Sequence, residues 1–212
     1  NLFEKENHVT ALRFKHLFSF TDFFEWLSML TGGFAEPYTF GRRVLKYLKW
    51  NNSDYDIIHD NQSLCHALIN LKKKGWPVIA TIHHPISLDL KIAIEHEERW
   101  QYKLLINRWH YFLKMQKDVA RQIDQVVTVS ESSKNDIAKD FGVARENITV
   151  VHNGIDTEIF KPMPQIERVA ETIMTTSSAD SPLKGLPYLL KAVAALAEEF
   201  PNLHLNILGK VN

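Results

Sequence analysis

The feature that most constrains the fold is a regular alternation of short β-branched runs with longer stretches of helical periodicity. The runs predict strands; in chain order they read YDIIH, PVIATIH, QVVTVS, NITVVH, TIMTTSS and LHLNIL. Several are apolar on both faces, as a strand in the centre of a sheet requires. Because parallel strands are joined through helices, the pattern predicts an α/β fold with a parallel sheet covered by helices.

Two of the intervening patterns carry helix signals. The helix after QVVTVS can begin at Ser130 or Ser132, which can cap it, and Gly142 supplies a left-handed stop. Residues 92–123 predict one long helix or two shorter ones, with their basic residues on a solvated face.

An aromatic segment, FKHLFSFTDFFEWLSMLTGGF, occupies residues 14–34. We predict that it forms an amphipathic element that packs on the sheet. Contact with a membrane surface is the alternative for the same residues.

Composition restricts partners and compartment. Lysine plus arginine and aspartate plus glutamate number 25 each, so no global field attracts nucleic acid. Cys65 is the one cysteine, which suits a reducing compartment, and we interpret it as a small buried residue. No apolar run could span a bilayer and the N-terminus lacks a secretory pattern, so we expect a cytoplasmic protein. We also expect both ends to be cut, since the chain starts at Asn1 and stops where a loop should follow a strand.

Polar residues follow the predicted strands. In an open parallel sheet, ligands bind outside the carboxyl ends of the strands, so these residues predict a cleft. The cleft candidates are His59, Asp60, Asn61, Gln62, His83, His84, Ser130, Asn153 and Gly154.

A second candidate site follows TIMTTSS. Ser178 ends the strand, and Lys184 and Gly185 stand before a helix that begins near Pro187. Free backbone N–H groups at that helix start, beside a lysine, can bind a phosphate. An ordinary turn is the equal alternative.

Other chemistries lack essential parts. The sequence contains no G-x-G-x-x-G, no G-x-x-x-x-G-K-[ST] and no G-x-S-x-G motif. HEERW begins like a zinc-protease helix but has Trp100 where the second histidine is needed. We therefore predict no metal site and no cofactor.

Three stretches together resemble the retaining glycosyltransferases of family 4. They are VVTVSESSKNDIAKDFGVARENITVVHNGIDTEIFKP, VIATIHHP and SSADSPLKGLPYLLKA. The resemblance implies the GT-B architecture: two Rossmann-like α/β domains, each a parallel sheet with helices on both faces, the second one truncated here. It implies an acceptor-side domain at residues 1–165 and the start of a nucleotide-sugar domain at residues 166–212.

The resemblance also implies a reaction. The family transfers a sugar from a nucleotide-diphosphate donor with retention, generally without a metal, and the acceptor here would be a glycan, lipid or small molecule. His83 matches the histidine beside the transferred sugar, and Lys184 matches the lysine that stabilises the departing diphosphate. Asn153 and Gly154 would shape the cleft floor. Peripheral contact with the inner face of the membrane is kept as an alternative to a purely cytoplasmic location.

Departures from the family pattern keep two alternatives open. Ala179 stands where a diphosphate-binding arginine is common, and no glycine-rich first loop or E-x7-E pair is present. We therefore expect the chain alone to be inactive. The alternatives are a GT-B nucleotide-sugar epimerase, with Asp60 recruited as an acid or base, and a non-catalytic sugar-nucleotide or protein-binding module. We also expect residues 166–212 to be loosely packed, because their sheet is incomplete.

Overall fold

The chain divides into two compact units, residues 1–153 and 154–212. The computed structural model describes residues 18–50, 55–176 and 184–209. The division lies upstream of the boundary between residues 165 and 166 that the resemblance implies, and that domain assignment stays a prediction.

The first unit follows the α/β alternation predicted from the sequence. Its described helices and strands are α1 (Phe20–Leu30), α2 (Glu36–Trp50), β1 (Ile58–Asn61), α3 (His66–Lys73), β2 (Val78–Thr81), α4 (Ser87–His96), α5 (Trp100–Trp109), α6 (Leu113–Ala120), β3 (Gln125–Thr128), α7 (Glu131–Phe141) and β4 (Ile148–Val150). Single 3-10 turns at His110–Phe112 and Arg145–Asn147 complete it.

The four strands form one parallel sheet in the order β1-β2-β3-β4. Asn61 pairs with Thr81, Thr81 with Val127, and Thr128 with Val150. The carboxyl ends of the strands are therefore in register, and the segments that follow them begin at one edge of the sheet. The predicted parallel α/β fold is confirmed.

The core lies on one face of this sheet. Asp60, Ala80, Val126 and Ile148 are paired neighbours on that face, and none is more than 7% exposed. On the opposite face His59 and Gln125 are exposed. Burial of apolar area on the first face is the main source of stability for this unit.

The predicted helix after β3 is confirmed in its details. Ser130 caps α7, because its hydroxyl accepts a hydrogen bond from the Ser133 backbone N–H. Gly142 ends the helix with a φ of 70°. The prediction for residues 92–123 is wrong, because this segment lies in α4, α5, a 3-10 turn and α6.

Helix α1 does not match the predicted amphipathic element. Its buried residues are Glu25 and Ser28, whereas Phe20, Leu27 and Leu30 are exposed by 64, 46 and 53%. Glu25 is buried because Arg43 of α2 pairs with it, at 2.5 Å between Nη2 and Oε2. Ion pairs from Arg43 to Glu25 and Asp22, together with an edge-on contact between Phe24 and Tyr38, join α1 to α2. No helix among the described residues is long and apolar enough to cross a membrane.

In the described part of the second unit there are two parallel strands, β5 (Thr172–Thr176) and β6 (His204–Leu208), and one helix, α8 (Leu186–Leu196). Leu186 is the one buried hydrophobic residue in its described part, at 7% exposure. Both predicted strands are confirmed, but they bury little apolar surface.

Candidate functional site

The carboxyl ends of β1 and β2 carry a hydrogen-bonded group of side chains, which we call the His83 cluster: Asn61, Gln62, His83 and His84. Strand pairing of Asn61 with Thr81 brings the two segments side by side. The sequence predicted all four as cleft residues, and the structure brings them together.

His83 is held at two points. Its backbone N–H donates to Gln62 Oε1 at 2.8 Å, and its Nε2–H donates to Asn61 Oδ1 at 2.8 Å. Because Nε2 carries the proton in this arrangement, Nδ1 keeps its lone pair. In the neutral imidazole with this arrangement, Nδ1 is the acceptor nitrogen.

Gln62 connects the loops after β1 and β2. Besides accepting from the His83 N–H, its Nε2 donates to the His84 carbonyl at 2.9 Å. Its own φ is 62°, in the left-handed region that a residue with a side chain seldom adopts. Such strain persists only where the surroundings enforce it, and it concentrates at functional sites.

Asp60 holds this strained loop through hydrogen bonds to its carboxylate. It is 7% exposed; its Oδ2 accepts from the Leu64 N–H at 2.9 Å, and its Oδ1 accepts from the Ser63 hydroxyl. Leu64 itself has a φ of 46°. Both carboxylate oxygens are therefore engaged within the loop, which assigns Asp60 a structural task.

The side chains of His59 and His84 also lie on this edge. His59 Nε2 is 2.7 Å from Thr81 Oγ1, which ties β1 to β2 on the exposed face of the sheet. His84 Nε2–H donates to Asp89 Oδ2 at a longer 3.4 Å. Cys65 is buried as predicted, and burial raises the pKa of its thiol, so the group is a neutral packing residue.

No hydrogen bond in the described part of the chain links Ser130 or Asn153 to the His83 cluster. The Ser130 hydroxyl is used in capping α7. Asn153 ends the first unit and Gly154 begins the second. Asn153 is exposed, and its side chain makes no hydrogen bond to the residues that the structure describes.

The predicted phosphate loop belongs to the second unit. Lys184 is exposed and directly precedes Gly185, the N-terminal cap of α8, which has a φ of 68°. Pro187 stands in the first turn of that helix. Ser178 and Ala179 lie outside the described residues. The geometry of Lys184 and Gly185 is that of a cation beside a helix start.

Gln116 is a contributor that sequence reasoning missed. It is 2% exposed, and its Nε2 donates to the carbonyls of Gln62 and Ser63 at 3.1 and 3.3 Å. It thereby fixes the backbone of the strained loop. A signal existed: Gln116 stands four residues after Phe112 and three before Val119, where the helical period calls for an apolar residue.

Within the described ranges, no group of three or more His, Cys, Asp or Glu residues is arranged to hold a metal ion. The absence of a metal requirement stays a prediction.

Comparison with known proteins identifies relatives. A family model described as Glycosyltransferase Family 4 matches residues 11–159. The chain is 44% identical over 178 residues to an MMP alpha-(1->4)-mannosyltransferase from Mycolicibacterium hassiacum, covering 84% of this chain and 43% of that protein.

More distant relatives carry a second description. A phosphatidyl-myo-inositol mannosyltransferase from Mycolicibacterium smegmatis is 22% identical over 80% of this chain and 39% of that protein. Its counterpart from Mycobacterium tuberculosis is 23% identical over 79% of this chain and 40% of that protein. The chain thus spans less than half the length of each relative.

Proposed function

The chain belongs to Glycosyltransferase Family 4, and from this premise we propose that the complete protein is a retaining mannosyltransferase that uses a nucleotide-diphosphate mannose. The observation that carries the proposal is the 44% identity to an MMP alpha-(1->4)-mannosyltransferase, across 84% of this chain. The mannosyl group and the α-(1→4) linkage are taken from that relative's description, and a mannoside is our choice of acceptor for the test.

His83 is the residue that we propose to lie beside the transferred sugar. Its hydrogen bond to Asn61 supports this role, because Nδ1 of the neutral ring can then accept a hydrogen bond from a sugar hydroxyl. Positioning of this kind lowers the barrier without proton transfer by the histidine.

Lys184 is the residue that we propose to stabilise the departing diphosphate. As the bond between the anomeric carbon and the phosphate oxygen breaks, negative charge grows on the diphosphate. A lysine next to the free N–H groups at the start of α8 opposes that charge. The same arrangement would allow transfer without a metal ion.

The hydrogen bonds of the Asp60 carboxylate favour the transferase over the epimerase. An epimerase needs a carboxylate that reaches the substrate, whereas both Asp60 oxygens are engaged by Ser63 and Leu64 in a buried loop. The binding-module alternative rests on Ala179, which is outside the described residues.

The experiment is transfer by the complete protein from nucleotide-diphosphate mannose to a mannoside. We expect α-configured product by NMR. Lys184→Ala should lower kcat about 10²-fold or more, as loss of a transition-state donor does. Lys191→Ala, at an exposed lysine within α8, is the matched control.

His83→Ala tests the other role. For His83→Ala we expect a lower kcat with unchanged donor affinity. His96→Ala is the control and should have no effect, because the ring of His96 is bonded to the Ile92 carbonyl of its own helix. Unchanged turnover in Lys184→Ala, or β-configured product, would contradict the proposal. We expect the 212-residue chain alone to show no transfer.

A further inference from the structure

A second potential binding site lies in the first unit, in a cavity of about 650 Å³. Residues from α1, α2, α3, α5 and α6 contribute to its walls. The volume falls within the range of about 300–1,000 Å³ that is usual for small-molecule sites. Its described lining includes no member of the His83 cluster.

Five phenylalanine and tyrosine rings contribute to the wall. Phe24 meets Tyr38 edge-on at 5.3 Å between ring centroids, and Phe34 meets Phe112 in the same way at 5.4 Å. Tyr111 also lines the cavity and is 60% exposed, so it lies toward the opening. An apolar group that entered would remove these rings from water, which is favourable.

Arg108 introduces a positive charge into this apolar wall. Its Nη2 donates to Ser28 Oγ at 3.2 Å and to Thr31 Oγ1 at 2.9 Å. Within the described part of the chain, no carboxylate lies within ion-pair distance of it. Half-buried and bonded only to hydroxyls, the guanidinium keeps donors that an anion could use.

The local backbone fits this arginine. A Cβ atom at Gly33 would overlap the Arg108 guanidinium, so the glycine permits the side chain to lie directly on the backbone. Partly desolvating an arginine without a counter-ion costs free energy. A bound anion would offset that cost.

A second cation stands near the opening. Lys114 Nζ is 4.8 Å from the centroid of the Tyr111 ring and is exposed. Asp118 is the carboxylate among the lining residues, and its Oδ1 is 3.5 Å from Nη1 of Arg121. The cations of the wall thus outnumber its single, paired carboxylate.

We propose that this cavity binds a single-chain anionic amphiphile, with a phosphate on Arg108 and Lys114 and an alkyl chain along the aromatic wall. The charge complementarity selects this occupant, since an uncharged glycan would leave Arg108 without an anion. The inference does not depend on the transferase proposal, and its test is binding rather than activity.

The experiment titrates the chain with dodecyl phosphate below its critical micelle concentration. Trp109 stacks on Phe34 at 4.6 Å between centroids, so its fluorescence reports on occupancy. We expect saturable one-to-one binding of dodecyl phosphate. Dodecanol and inorganic phosphate should each bind with an affinity that is lower by about tenfold or more. Equal binding of either probe, or binding only above the micelle concentration, would overturn the proposal.

Variants locate the site. Arg108→Gln should weaken dodecyl phosphate about tenfold or more, as loss of a charge-assisted hydrogen bond does. Lys139→Gln, the same charge change at an exposed residue outside the cavity, is the control and should bind normally. Ala35→Leu narrows the cavity while leaving Arg108 in place, and it should also weaken binding. Normal binding by both cavity variants, with far-UV circular dichroism unchanged, would refute the assignment.

Discussion

The two units follow the same strand-helix-strand pattern, yet they differ in how much they bury. In the first unit, Ala80, Val126 and Ile137 are completely buried between the sheet and its helices. In the second, Met174 of β5 and Ile207 of β6 remain 66 and 44% exposed. A pattern that predicts strands correctly does not by itself produce a core.

The difference follows from the number of elements. Four paired strands with several helices enclose a common interior, whereas two strands and one helix cannot cover both sides of each element. Helix α8 illustrates this, because Leu186 is buried at 7% exposure while Leu190 and Leu196 of the same helix are 46 and 41% exposed. This burial agrees with the expected loose packing of residues 166–212, which only a measurement can establish.

Hydrogen exchange should give the largest difference between the units. Amides paired between β2 and β3, such as Val126 and Val127, should exchange only through opening of the sheet. Those paired between β5 and β6, such as Leu205 and Ile207, should exchange on the order of 10³-fold faster, because few buried contacts oppose local opening. Equal protection of the two sheets would break the comparison.

Matched isoleucine substitutions should give the next largest effect. Ile148 in β4 is 2% exposed, and Ile148→Ala should lower the free energy of unfolding by about 2–5 kcal/mol through lost burial and a cavity. Ile207→Ala, at 44% exposure, should lower it by about 1 kcal/mol or less. Urea unfolding of both variants measures the two changes in the free energy of unfolding. A similar loss in both would mean that Ile207 is buried in solution.

The contrast also separates what the sequence could predict from what it could not. Strands and the α7 caps depend on local composition, so Ser130 and Gly142 were identifiable before the structure. Burial of Glu25 on α1 depends on Arg43, which is eighteen residues away and carries no periodic signal. In the candidate site, strand ends located His83 and Gln62, but the left-handed φ of Gln62 and its support from Gln116 require tertiary contacts.

Two glycines with a left-handed backbone conformation, one in each unit, allow the cost of backbone strain to be compared. Gly142 has a φ of 70°, and a Cβ there would lie 3.1 Å from Arg121 Nε, which donates to the Phe141 carbonyl at 2.7 Å. Gly142→Ala should therefore destabilise the first unit by about 1–2 kcal/mol through backbone strain, with a further loss from displacing Arg121.

Gly185 has a φ of 68° but open space around the position of a Cβ. Gly185→Ala should show the strain alone. Because the described part of the second unit buries little apolar surface, the effect should appear as faster exchange in α8 rather than as a shift of the urea midpoint. Gly154→Ala, in open space and without a positive φ, is the control, with an expected change within about 0.5 kcal/mol. An equal effect at Gly154 would mean that strain does not explain the other two.

Surface ion pairs should give the smallest effect. In the first unit Glu97 Oε1 accepts from Arg99 Nε at 2.9 Å and Oε2 from Nη2 at 3.1 Å, whereas in the second unit Lys161 and Glu158 approach only to 3.8 Å. The hydrogen bonds from the Arg99 side chain, with one from its backbone N–H, lower the pKa of Glu97 from 4.5 to about 2.

The sign of the pH effect follows from that shift. Because folding favours the ionised Glu97, the pair stabilises the first unit above pH 4.5, and this contribution is lost as the pH falls through about 2. NMR titration of the Glu97 carboxyl carbon should show the low midpoint, and Arg99→Gln should raise it toward 4.5. Lys161→Gln should leave it unchanged. Salt should weaken the shift, because surface charges are screened over about 10 Å at 0.1 M. If Arg99→Gln does not move the titration midpoint of Glu97, the surface of the first unit is no more ordered than that of the second. The difference between the two units would then be limited to their cores.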